Sequence, residues 1–174
     1  MINSISSEID CLLLSDSLKV RGRLGLPSPL RRLQDLLISD RSRDLLQIME
    51  PEFLYPKQER ENLYVHLRSF PVIADLGSPL PFQNGQVKKN PHPVEIFLTN
   101  GWRLLGDLLL SEGQDLRLLQ SVSMPDHLPL VKAQALDQEG NSLLLDGAPQ
   151  STLFFARRQL VAVNTRDLLS RNEI

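Results

Sequence analysis

The stretch Ile96-Phe97-Leu98-Thr99-Asn100-Gly101-Trp102-Arg103-Leu104-Leu105-Gly106-Asp107-Leu108 has an earlier counterpart. Leu12-Leu13-Leu14-Ser15-Asp16-Ser17-Leu18-Lys19-Val20-Arg21-Gly22-Arg23-Leu24 lies on it without a gap. In both, β-type residues lead into a short polar turn, Thr99-Asn100-Gly101 or Ser15-Asp16-Ser17. Asn-Gly is a strong two-residue hairpin signal, because both residues tolerate positive φ. After the turn, a large apolar residue (Leu18 or Trp102), a base (Lys19 or Arg103) and an apolar residue (Val20 or Leu104) alternate, and Gly22 or Gly106 follows. A glycine inside a strand marks a bulge or a sharp bend. Each stretch therefore predicts a β-hairpin with a bent second strand, which argues for a small barrel over a flat sheet.

Outward from these hairpins, the later parts also correspond: Val65-His66-Leu67-Arg68-Ser69-Phe70-Pro71-Val72-Ile73-Ala74 fits on Phe154-Phe155-Ala156-Arg157-Arg158-Gln159-Leu160-Val161-Ala162-Val163. Both read as a strand, a tight break containing arginine, and a second short strand. Pro79, Pro81, Pro91 and Pro93, with Gly77 and Gly85, break the chain between the two sets. The expected organisation is a first unit over 8–76, a linker over 77–92, a second unit over 93–167 and a tail over 168–174. The middles diverge. Pro29–Leu37 reads as a helical turn or loop before a strand at Asp44–Glu50, whereas the second unit has Asp115–Gln120, a strand at Leu130–Leu136, and Asn141–Leu145 inserted before its last pair of strands. Loops and edges tolerate such divergence.

A bent hairpin, a middle strand and a closing pair joined by an arginine-containing turn resemble the Sm-like small β-barrel. Leu67-Arg68-Ser69-Phe70-Pro71-Val72-Ile73 is similar to that family's second motif, and Ala156-Arg157-Arg158-Gln159-Leu160-Val161 is its counterpart. Pro29–Leu37 also resembles a pattern of uncharacterised bacterial Sm-like proteins. The resemblance implies two tandem Sm-like barrels in a mainly β chain, with an RNA-binding rim that includes Arg68 and Arg157. We expect the two barrels to pack through their strand edges as a pseudo-two-fold pair.

Composition narrows the function. In 174 residues, 19 basic side chains against 21 acidic ones give a net charge of −2, so no global field draws DNA, RNA or an acidic membrane. Cys11 is the sole cysteine and sits in an apolar run, where it reads as a core residue outside any disulfide or thiolate metal site. The start Met1–Glu8 lacks a secretory pattern, and no apolar stretch is long enough to span a bilayer, so a cytoplasmic location is expected.

His66, His92 and His127 are scattered, without the spacing of a metal or proton-transfer site. Glu50 with Glu52, and Asp137 with Glu139, flank turns, where carboxylates are favoured by solvation. No nucleophile elbow, phosphate loop or dinucleotide fingerprint occurs. The sequence thus predicts a non-enzyme without a cofactor.

Three basic clusters remain: Arg31-Arg32 with Arg41 and Arg43, Lys88-Lys89, and Arg157-Arg158. Arg31, Arg32, Arg68, Arg157 and Arg158 are the candidate contacts for a nucleic acid or another anion, since guanidinium groups on one rim would hold phosphates. The other reading is a solvated face balanced by Asp35, Asp40 and Asp44, and Arg68 and Arg157 can equally serve to bond loop carbonyls. Aromatic residues make up 5% of the chain, and Phe97, Trp102, Phe154 and Phe155 fall in strand patterns that suit a core. The expected function is an interaction module for another protein. That partner would be reached by edge-strand addition or through the leucine-rich stretches Leu30–Ile38 and Leu104–Leu110. RNA is the alternative partner, and self-association through strand edges is open; neither DNA nor a membrane is expected.

Overall fold

The computed structural model describes residues 5–77, 89–144 and 152–165. The described chain runs β1 (Ile5–Leu14), β2 (Lys19–Pro27), α1 (Leu33–Ile38), β3 (Leu46–Tyr55), β4 (Asn62–Val65), β5 (Val72–Asp75), β6 (Lys89–Leu98), β7 (Arg103–Ser111), β8 (His127–Leu136), β9 (Thr152–Ala156) and β10 (Leu160–Thr165). All ten strands join one antiparallel sheet in the order β10-β6-β7-β8-β9-β5-β1-β2-β3-β4. The chain is therefore mainly β, as its patterning predicts.

The closed barrels are not there, because the sheet is open. The reason lies in β5, which has β1 on one side and β9 on the other. With both edges occupied it is not available to turn back onto β4. The expected two-fold pairing of like edges is also replaced. The joint runs between β5, the last strand of the first set, and β9, the last but one of the second. Strand β6 already begins at Lys89, inside the stretch expected to be linker; residues 78–88 and the tail lie outside the described residues.

Both hairpins form, but the gapless match between them does not hold. In the first, Leu14 stands opposite Lys19, with Ser15–Leu18 between them. In the second, the last pair is Phe97 with Arg103, and the loop Leu98–Trp102 is one residue longer. Gly101 takes φ of +81° and its N–H donates to the Leu98 carbonyl at 2.9 Å, while the Leu98 N–H donates to the Trp102 carbonyl at 3.0 Å. This is a turn closed by a glycine bulge, so the left-handed conformation falls on Gly101 and not on Asn100 as well.

The two strand glycines do mark bends. The β2–β3 register slips between Arg21 and Arg23, and the β7–β8 register slips between Leu105 and Asp107. On the facing strands, Glu50 and Lys132 take φ near +50°. A β-carbon on Gly22 would fall on the γ2 methyl of Ile48, and one on Gly106 would lie 2.9 Å from the Val131 carbonyl oxygen. Only glycine lets the bulged backbones approach so closely.

Two apolar cores lie on the bent sheet. The first gathers Leu13, Val20, Leu24, Ile48, Val65 and Ile73, capped by Leu33, Leu36 and Leu37 of α1; the second gathers Val94, Ile96, Leu104, Leu108, Leu130 and Leu153. They are threaded into each other. Phe154 of β9 enters the first core, while Leu12, Leu14, Val72 and Ala74 enter the second. The leucine-rich stretches expected to meet a partner are mostly spent here. Leu30 packs against the first core, and Leu104, Leu108 and Leu110 are buried in the second; Ile38 remains exposed.

Candidate interaction site

The joint between the two halves of the sheet lies beside His127, Asp126 and three arginines. Val72, Ile73, Ala74 and Asp75 pair with Phe155, Phe154, Leu153 and Thr152. Beyond this ladder, the Ala156 N–H donates to the Pro71 carbonyl at 2.8 Å, and His127 Nε2 lies 2.9 Å from the Phe70 carbonyl oxygen. A carbonyl accepts, so Nε2 carries the proton. Burial lowers the His127 pKa most, against the raising effect of the Phe70 carbonyl; Arg158 and Arg68 lower it further, and Asp126 raises it.

Three of the five candidate arginines meet around this joint. Arg68 donates from Nε to Ser42 Oγ at 3.3 Å and forms an ion pair with Asp126 at 3.1 Å, across the joint. Arg158, exposed, donates to the carbonyl of Arg68. Arg157 spreads its guanidinium over three backbone carbonyls: Leu119 at 3.2 Å, Met124 at 3.1 Å, and Ser121. It thereby fastens the turn at Leu116–Gln120 to the turn at Arg157–Gln159. Arg31 and Arg32 are exposed on the approach to α1, with Arg32 at its N-cap. Backbone carbonyl oxygens occupy the donors of Arg157.

Cys11 is fully buried, and burial, Asp75 and Asp10 push its thiol up to about 12. His66 and His92 are exposed. Glu50 pairs with Arg23 at 2.7 Å, and Asp137 accepts from Asn141 and Glu139, which holds its carboxyl below the usual range. Lys89 lies in β6, and Lys88 lies outside the described residues. Among the described residues, no three His, Cys, Asp or Glu side chains gather as a metal site, and no helix is long and apolar enough to cross a membrane.

The other surface with a defined geometry is the pair of sheet edges. Among the described residues, β4 and β10 are paired on one side only. Tyr64 on β4 is 59% exposed and Val161 on β10 is 64% exposed, large values for apolar side chains on strands. Beside β4, Leu45 and Tyr64 line a cleft of about 160 Å³ with Asp44, Gln47 and Pro27. A larger cleft of about 590 Å³ is lined by Pro51–Phe53 and the polar loop Gln58–Glu61. The sequence gives no direct sign of Asp126 or of the crossing of Phe154. The available signal was the run Leu153-Phe154-Phe155-Ala156: unbroken apolar residues belong to a strand covered on both faces.

These features define a mainly β protein with one open antiparallel sheet. In comparisons with protein families, characterised proteins and solved structures, the chain matches none.

Proposed function

We propose that the protein is a non-enzymatic interaction module of two tandem Sm-like units, whose partner is another protein taken up by strand addition at the sheet edges. The repeated strand order supports the tandem units. The pairing order β5-β1-β2-β3-β4 recurs as β10-β6-β7-β8-β9. Superposing the ladders places Leu13, Val20 and Ile73 on Ile96, Leu104 and Val163, and Leu46 with Val65 on Leu128 with Phe155. The glycine bulges then coincide. This superposition moves the match in the second half by one residue, so Arg68 corresponds to Arg158 and Leu67 to Arg157. Arg68 and Arg157 are then not counterparts.

The observation that carries the functional reading is the pair of edges. Strands β4 and β10 present backbone N–H and C=O groups beside exposed apolar side chains, which is how an added strand is held and selected. RNA has less support, since Arg157 is committed to carbonyls and Trp102, Phe154 and Phe155 are buried. The test is capture of partners from lysate by the wild-type chain and by Tyr64→Lys, each with and without nuclease. Capture that survives nuclease and is lost in Tyr64→Lys is expected. Capture abolished by nuclease points to RNA and overturns the proposal.

A further inference from the structure

We propose that His127 is a proton-operated latch on the joint between the two halves of the sheet: the neutral ring holds one end of the joint shut, and protonation releases that end. The latch lies where the β5–β9 ladder stops. The last pair of the ladder is Val72 with Phe155. Beyond it, the Ala156 N–H donates to the Pro71 carbonyl at 2.8 Å, and His127 Nε2 donates to the Phe70 carbonyl at 2.9 Å. His127 also stands opposite Ala156 in the β8–β9 ladder. One ring therefore ties the second half of the sheet to the segment that leads into β5 of the first.

The ring suits this position only without a charge. His127 is 3% exposed, and among the described residues its Nδ1 has no hydrogen-bond partner. The second proton goes to Nδ1, so the cationic ring would bury a charge together with a donor that lacks an acceptor, and both are costly. The charges around it add to the cost. Arg158, on the turn Arg157–Gln159, and Arg68, on the turn Leu67–Ser69, oppose a cation here, and Asp126 favours one. Asp126 is already paired with Arg68 and is 48% exposed, so a second cation and water both compete for its carboxylate. Helix α1, which packs beside β8, carries Asp35, and His66 stands exposed ahead of the turn Leu67–Ser69.

Outside its pocket, the protonated ring meets water, and both of its N–H groups find acceptors. Leaving breaks the bond to Phe70, and the Ala156–Pro71 bond is the next to give. The other contacts at this end respond with it, since the Arg68–Asp126 pair and the bond from Arg158 to the Arg68 carbonyl also cross the joint. The opening stays at the end, because Ile73 and Phe154 are fixed in the first core while Val72 and Phe155 are fixed in the second. The sign follows from the folded state, which keeps the ring neutral. The latch is closed above the ordinary value of 6.5 and opens as pH falls below it.

The test is amide hydrogen exchange of the full chain, followed by NMR between about pH 7.5 and pH 5 and corrected for the pH dependence of intrinsic exchange. The Ala156 amide is expected to lose protection by up to about thirtyfold at pH 5, the limit for an open ring that titrates at 6.5. Amides of the β1–β2 and β6–β7 hairpins are expected to keep theirs. His127→Gln retains a donor for the Phe70 carbonyl without a titrating ring, and is expected to abolish the acid response; His66→Gln is expected to retain it. Ala156 protection that is indifferent to pH, a loss shared equally by every strand, or an acid response that survives in His127→Gln or vanishes in His66→Gln overturns the latch. The ring's own titration decides the matter even if His127→Gln fails to fold. Loss of Ala156 protection that levels off while the wild-type ring is still neutral, or continues after it is charged, belongs to another group and overturns the proposal.

Discussion

Replacing Arg157 by alanine removes the donor group that ties three carbonyls of the preceding turn to the end of β9. Hydrogen bonds from a charged group are worth about 1.5–3 kcal/mol net when the acceptor is shielded from water, and less when water can take the donor's place. Leu119 is 5% exposed, so its carbonyl carries the full loss, whereas Ser121 and Met124 are half-buried. Counting one shielded bond and two partly solvated ones gives about 3 kcal/mol. For a chain of this size, that corresponds to a fall in melting temperature of roughly 6–12 °C. Arg68→Ala is the contrast. Its guanidinium is 32% exposed and Asp126 is 48% exposed, and an ion pair so open to solvent contributes at most about 1 kcal/mol. Arg157→Lys retains the charge, but a single ammonium cannot fan across three carbonyls, so most of the loss should persist. The assay is thermal and urea unfolding of the three variants with the wild type. Arg157→Ala within about 2 °C of wild type, or Arg68→Ala the more damaging of the two, would refute the clamp.

The strand glycines should resist substitution: Gly106→Ala sets a methyl 2.9 Å from the Leu130 γ-carbon and the Val131 carbonyl, an overpacking cost of about 1–3 kcal/mol readable in urea melts. His127 links the joint to pH. Its folded pKa lies below the ordinary value of 6.5, so its contribution to stability is complete above that value and is lost as pH falls below it, toward the folded pKa. Melting temperature followed from neutral pH to pH 5 should therefore fall, and His127→Gln should flatten that part of the profile. Cys11, with its thiol pushed up to about 12, should not react with a thiol reagent at pH 8 until the chain is unfolded; rapid labelling of the native protein would contradict its burial.

Local signals carried the parts of the fold that local physics controls. The turns at Ser15–Ser17 and Thr99–Gly101, and the bends at Gly22 and Gly106, depend on a few adjacent residues, and each forms where the pattern puts it. Register was less accessible. The longer loop Leu98–Trp102 shifts β6 by one residue against β1, and a one-residue slip exchanges the two faces of a strand. That slip makes the sequence match between Arg68 and Arg157 misleading.

The joint could not be read from either half of the sequence alone, because β5 and β9 are distant in sequence and pair through backbone groups that every residue carries. Burial nevertheless leaves a trace. Val72-Ile73-Ala74 and Leu153-Phe154-Phe155 are unbroken apolar runs, covered on both faces, whereas β4 alternates exposed with partly or fully buried positions and β10 mixes exposed with partly buried ones. The leucines of α1 and β7 misled for the converse reason. Their helical and alternating spacing suits a core as well as a docking surface, and here the core claims them.

Strand pairing at the two open edges is most directly tested by amide hydrogen exchange on the wild-type chain and on Tyr64→Lys, followed in peptides covering 62–65 and 160–165. Edge docking predicts that, with the protein captured from lysate bound, amides of β4 and β10 exchange slowly in the wild type and quickly in Tyr64→Lys, with β5 and β9 protected in both. Edge amides that exchange as quickly in the wild type as in Tyr64→Lys would contradict it.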